Sequence, residues 1–216
     1  MISSREQIFQ SLQRKDRPFP SAEAPSTYQH MVPLRDFSPE ELEAVFIENA
    51  QNAACIVHQP ASQEEAINTL LELVGEDKII SSWEPGQIPL DGLETALEQA
   101  GIARVGEDAM VQVGVTGVDA ALAATGSLVL SSGNGRYRAA SLLPPVHVAV
   151  VSRSQITEDL EPWLAKQRTS GLEAFRQASN IVLITGPSRT ADIAMQLVMG
   201  MHGPRELHII LVDDAV

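Results

Sequence analysis

Two segments combine residue types and spacings suited to chemistry on a small ligand. The first, NIVLITGPSRTAD at 180–192, reads as an apolar buried strand, a Gly186-Pro187-Ser188 turn, and a helix from Arg189 or Thr190 to about residue 200. Such a turn leaves backbone N–H groups and the positive end of the helix dipole facing outward, where anions bind. Arg189 adds a guanidinium able to clamp a carboxylate through two hydrogen bonds. Ser188 equally suits a plain N-cap with Arg189 in solvent. The turn carries neither GxxxxGK[ST] nor GxGxxG, so neither ATP nor NAD is supported.

The second segment, 113–151, places Gly at 114, 117, 126, 133 and 135 among short apolar runs, a density that permits close approach of a ligand or another backbone. Thr116, Gly117, Asp119, Thr125, Gly126 and Ser127 flank strand ends, where open α/β sheets bind ligands. Asp119 is also suited to an N-cap, and Thr125 and Ser127 to turn chemistry. Arg136 and Arg138 stand two apart beside a Gly turn, either facing a ligand together or solvated. His147 opens an apolar strand, as either a core histidine bonded to a backbone group or a site residue at the strand end, and His202 lies in the Gly-Pro loop GMHGPREL; with Asp119 they are the candidate acid/base groups. His58 and His208 fall inside strands and read as structural. A triad of Ser188, His202 and Asp119 lacks a GxSxG elbow, and no histidine spacing resembles HExxH, so no metal site is expected.

The elements positioning these residues follow from punctuation and periodicity. Residues 4–14 form a short amphipathic helix, and 16–37 an extended arm containing Pro18, Pro20, Pro25 and Pro33. Ser38-Pro39 caps a helix to about Asn52, and Ser62 with Glu65 opens another that stops at Gly75. Further helices are expected over 89–100, near 118–124, near 137–142 and over 158–178. Strands are expected at 54–58, KIISS, IARV, 110–116, 126–132, VHVAVVS, 180–185 and 207–212. Continuous apolar strands alternating with helices predict an α/β fold: a Rossmann-like, mostly parallel sheet with helices on both faces. The chain divides into an N-terminal helix and arm, 1–37, and one α/β domain, 38–216.

The 216 residues, 44% hydrophobic and 20% charged, suit a packed globular chain rather than a disordered one. The net charge of −13 argues against nucleic-acid binding. It is concentrated in residues 1–100, with 6 Lys/Arg against 17 Asp/Glu, whereas 101–216 hold 9 against 11. No acidic residue falls between Asp119 and Glu158, a stretch that includes Arg136, Arg138 and Arg153, so a small anion is expected there. No window is apolar enough for a membrane span and no signal-peptide core is visible, which makes the cytoplasm the expected location. Cys55, the single cysteine, can form no internal disulfide and no iron–sulfur site without ligands from another chain; it reads as a buried, inert thiol.

VGVTGVDAALAATGSLVL, GRYRAASLLPPVHVAVV, ITGPSRTADI and MGMHGPRELHIILV, together covering about 110–212, resemble in order and spacing the LUD domain of the LutC/YkgG family of lactate utilization proteins. The resemblance implies a fold of the NagB/RpiA/CoA-transferase type and participation in oxidation of L-lactate to pyruvate with partner proteins that carry the iron–sulfur clusters, this chain binding no cofactor alone. The family's motifs map onto Thr116, Gly117 and Asp119; Thr125 and Gly126; Ser141, Pro144, Pro145 and His147; Gly186 to Thr190 with Asp192; and His202 to Pro204. The chain departs at Ala194 and Ala124, where acidic or polar residues are common in the family, so acid/base chemistry resting on those positions is absent.

Three roles follow as expectations. The first is a lactate-utilization subunit binding a small carboxylate at strand ends. The second is a non-catalytic assembly or regulatory subunit docking partners through its acidic half. The third is an independent CoA-transferase-like enzyme relying on Asp119 or Asp192.

Overall fold

A computed structural model of the chain describes residues 3–13, 38–105, 110–190 and 198–214. The arm at 16–37 and the stretch containing Asp192 and Ala194 lie outside the described residues, apart from the arm's junction with Ser38.

Along the chain α1 (Ser4–Gln13) and α2 (Pro39–Asn52) precede β1 (Ile56–His58), α3 (Gln63–Val74), β2 (Ile79–Ser82), α4 (Leu93–Gln99), β3 (Ala103–Val105) and β4 (Val113–Thr116). There follow β5 (Ala120–Leu122), β6 (Ser127–Ser132), α5 (Ala139–Leu142), β7 (Val146–Ser152), β8 (Ile156–Thr157), α6 (Leu160–Thr169) and α7 (Glu173–Gln177). The chain closes with β9 (Asn180–Ile184), β10 (Arg189–Thr190), β11 (Val198–Met199) and β12 (Glu206–Val212). The capping signals act as expected: Ser38 Oγ accepts from Glu41 N–H, Ser62 Oγ accepts from Glu65 N–H, and α3 ends at Gly75.

Six strands form an all-parallel sheet in the order β1-β12-β7-β4-β2-β3. Its inner strands are apolar and buried on both faces, as a covered parallel sheet requires. Side chains level with one another on parallel strands share a face. Gly114, His147 and Leu207 are level. A Cβ on Gly114 would stand 1.8 Å from the Ala140 carbonyl oxygen, so α5 rests on this face. The right-handed crossover rule places α3 and α4 on the other.

A second, mixed sheet, β8-β5-β6-β9, departs from the expectation of helices alone on the faces. Ala121, Leu128 and Leu130 face the main core, while Ala120, Leu122 and Val129 pack beneath Trp163 of α6. Three expectations are corrected here. The alanine-rich 118–124 segment is not helical: β5 pairs with β6 and β8, because tertiary pairing outweighs alanine's helix preference. The 180–185 run is β9, the outer strand of this sheet, with Leu183 half exposed rather than buried. The helix expected over 158–178 breaks into α6 and α7 at Gly171 and Leu172, both with positive φ.

The close approach at Gly114 is testable. Gly114→Ala forces α5 off β4 and should cost about 3 kcal/mol or more in denaturant unfolding. Gly86→Ala, where a Cβ meets nothing within 4 Å, should stay within about 0.5 kcal/mol of the parent. Equal stabilities for the two variants would refute this packing.

Candidate functional site

In an open parallel sheet the ligand crevice lies at the carboxyl ends of neighbouring strands whose connections depart in opposite directions. Here those strands are β2, which continues outward through α4 to β3, and β4, which continues inward through β5, β6 and α5 to β7. A cleft of about 650 Å³ opens nearby, lined by Gln87, Asp119, the Ser131–Arg136 turn and residues of α7.

Asp119 and Arg136 form its polar centre. Arg136 Nη1 donates to Asp119 Oδ1 at 2.6 Å and to Ser131 Oγ at 2.9 Å, while its Nε donates to Gln87 Oε1 at 2.7 Å. The guanidinium carbon lies 5.1 Å from the Trp83 ring centroid, a cation–π contact. Asp119 Oδ2 accepts from Ser131 N–H at 2.5 Å. The Arg136 side chain is 28% exposed and its Nη2 has no partner among the described residues, which leaves one edge of the fork for a ligand. Both Asp119 oxygens are engaged, so this carboxylate positions Arg136. Arg138 stands exposed at the start of α5, apart from this network.

Other candidates converge elsewhere. A second cavity, about 220 Å³, lies near the amino ends of β7 and β12 and is lined by His147, Gly186, Ser188 and His202 among others. His147 is 1% exposed, and its Nε2 lies 2.9 Å from Thr116 Oγ1. Burial pushes its pKa down to about 3, so the imidazole is neutral at physiological pH. His202 is exposed. Thr125, Ser127 and Thr185 form a hydroxyl chain with spacings of 2.7 and 2.6 Å, and Gly126 lies against Asn49 and Ala50 of α2. Gly117 packs on the Gln87 carbonyl, which brings the β2 and β4 ends together.

The helix-terminus cradle expected at Gly186–Thr190 does not form. Arg189 and Thr190 pair as β10 with Met199 and Val198 of β11. Ser188 N–H donates to Pro204 O, its carbonyl accepts from Gly200 N–H, and Arg189 Nη2 donates to Ala53 O at 2.6 Å. Ser188 Oγ faces the His202 N–H at 3.4 Å rather than capping a helix, and Arg189 is drawn towards the Ala53 carbonyl. Cys55, 6% exposed, lies against Gly186, and burial raises its thiol pKa to about 11 despite the Gly186 N–H and Arg189, leaving an unreactive thiol. His58 Nε2 lies 3.0 Å from His208 Nδ1, and His208 Nε2 lies 3.2 Å from Glu206.

The LUD domain family matches residues 107–212. Lactate utilization protein C of Halalkalibacterium halodurans is 30% identical over 192 residues, covering 84% of this chain and 83% of that protein. The chain belongs to the lactate utilization protein C family. Its namesake from Macrococcus caseolyticus is 34% identical, with 69% of this chain and 68% of the relative aligned. A DUF162 family protein from Deinococcus radiodurans shares the fold at a TM-score of 0.59 and 19% identity, covering 82% of this chain and 99% of that structure. In this lactate utilization protein C family member, no described helix is long and apolar enough to cross a membrane. No described cluster of three His, Cys, Asp or Glu residues is arranged to hold a metal ion.

Gln87 and Ser131 line the cleft and buried Trp83 lies against Arg136; motif reading missed all three. Their signal is positional: WEPGQ directly follows the strand KIISS, and Ser131 closes SLVLSS, so both lie where strands end. The buried imidazole supplies a stability test. Because folded His147 titrates near pH 3 and an unfolded histidine near 6.5, its contribution is complete above about pH 6.5 and is lost as pH falls towards 3. That is about 1.4 kcal/mol per pH unit in the steep part. His147→Gln should remove this one-proton slope from urea unfolding measured across pH 3.5–6.5; an unchanged slope would contradict a neutral buried imidazole.

Proposed function

We propose that the chain serves lactate utilization as the subunit that binds a small carboxylate, lactate or pyruvate, in the cleft between β2 and β4, with Arg136 as its anchor. The observation that carries this reading is the free edge of a guanidinium pre-set at the switch point of the sheet by Asp119, Gln87 and Trp83. The curated relatives named lactate utilization protein C, aligned over most of the chain, supply the metabolic context.

Arg136 binds and orients the carboxylate through Nη2, and Asp119 holds the guanidinium in place. Oxidation of L-lactate to pyruvate releases two electrons and two protons. We assign electron acceptance to partner proteins bearing iron–sulfur clusters, because the single cysteine gives this chain at most one thiolate ligand. The described Asp119 and His147 are poorly disposed for proton transfer, the first by its two hydrogen bonds and the second by its low basicity. His202, the third candidate, lies at the other cavity, so the chain works by binding and presenting the acid.

Calorimetric titration of the whole chain with L-lactate and pyruvate tests this. Arg136→Ala should weaken binding by about 1.5–3 kcal/mol, Arg136→Lys should restore only part, and Arg189→Ala should bind as the parent does. Deletion of the gene should abolish growth on L-lactate as sole carbon source, with rescue by the parent and not by Arg136→Ala. Equal affinity in the parent and Arg136→Ala would overturn the anchor.

A further inference from the structure

The cavity over His147 is separate from the switch-point cleft and has the opposite chemistry. Its walls are largely apolar, built from Leu142, Leu183, Ile184 and Leu207, and among the described residues no Asp, Glu, Lys or Arg lines it. Arg189, one residue beyond the lining, is turned away onto Ala53 O. An ion displacing water from these apolar walls meets no counter-charge among the described residues, which disfavours lactate-like anions and cations.

One polar group nevertheless reaches this apolar space. His147 is almost completely buried; Thr116 occupies its Nε2, and its Nδ1 has no partner among the described residues. Nδ1 is not among the buried atoms left without a partner, so the cavity reaches it, and an occupant must supply the hydrogen bond that water otherwise makes. The Thr116 hydrogen bond sets what Nδ1 offers. If the Thr116 hydroxyl donates to Nε2, Nδ1 carries the proton and donates; if Nε2–H donates to Thr116, Nδ1 accepts. A carboxamide or hydroxyl group, which both donates and accepts, satisfies either tautomer. At about 220 Å³ the cavity is smaller than common cofactor pockets and suits one short chain or one substituted ring.

We propose that this cavity is a second ligand site, independent of the carboxylate cleft, which takes a small uncharged molecule bearing one carboxamide or hydroxyl group on an apolar body. The polar group meets His147 Nδ1, and the apolar body meets Leu142, Leu183 and Leu207. Ser188 and His202 form the rim.

Benzamide and benzoate, nearly isosteric and differing in charge, are the probes. The full-length chain with ¹⁵N-labelled histidine is titrated with each while the imidazole nitrogens are followed by NMR. Benzamide should shift the His147 signals saturably, benzoate should bind at least tenfold more weakly, and saturating L-lactate should not displace benzamide. Leu183→Trp, at a half-exposed edge-strand position where folding tolerates change, should fill the cavity and weaken benzamide at least tenfold. No saturable shift, equal binding of benzoate, displacement by lactate, or unchanged affinity in Leu183→Trp would each overturn the proposal. Because the readout is His147, a failed carboxylate anchor at Arg136 leaves this result interpretable.

Discussion

At residue 114 the chain has no room for even one side-chain carbon. The Ala140 carbonyl of α5 occupies the place where a Cβ would be, and this contact holds the β6-to-β7 connection flat on the parallel sheet. Both cavities border this connection. The turn before α5 carries Arg136 back over the ends of β2 and β4, while Ser141 and Leu142 of α5 wall the cavity above His147. A bulkier residue at 114 would lift α5 and so move both sites, which is why the two cavities share one structural dependence while differing in chemistry.

Within the cleft, the Asp119–Arg136 pair illustrates when an ion pair is a positioning device rather than a source of stability. The pair is partly buried, with side chains 14% and 28% exposed, so its Coulombic gain is opposed by desolvation. The additional bonds from Ser131 N–H, Gln87 and the Trp83 face resolve that opposition by satisfying groups the pair alone would leave wanting. The guanidinium is thereby held in one orientation before any ligand arrives, which lowers the ordering cost of binding.

What the sequence disclosed follows the range of the forces involved. Ser38, Ser62 and Gly75 punctuate helices through contacts within four residues, and those helices form where expected. The continuous apolar runs VHVAVVS and LHIILV are central parallel strands because no alternation is needed when both faces are covered. VDAALAA was illegible because alanine's methyl group favours helix over strand locally; its partners on β6 and β8 decide. The TGPSRT turn looked like a helix start because Ser and Thr are capping residues, yet Pro204, Gly200 and Ala53, each distant in sequence or reached through a hairpin, take those bonds. The site was half visible in the same sense. Asp119 and Arg136 were each singled out, but their union with Trp83 and Gln87 is a long-range fact of strand order.

The charge distribution makes the same point for electrostatics. The segment between Asp119 and Glu158 is free of acid in sequence but not in space, since Arg136 meets Asp119 and Arg153 meets both Glu43 and Asp213. With a net charge of −13, the long-range field of the chain repels a carboxylate, and at physiological ionic strength that repulsion is screened within about 8 Å. Selection for an anion must therefore be made at contact range, by a donor whose position is already fixed. Arg136 meets that condition because its hydrogen bonds and its ring contact leave one edge open beside a single carboxylate; Arg153 lies between two carboxylates, Glu43 and Asp213, whose combined charge opposes an incoming anion.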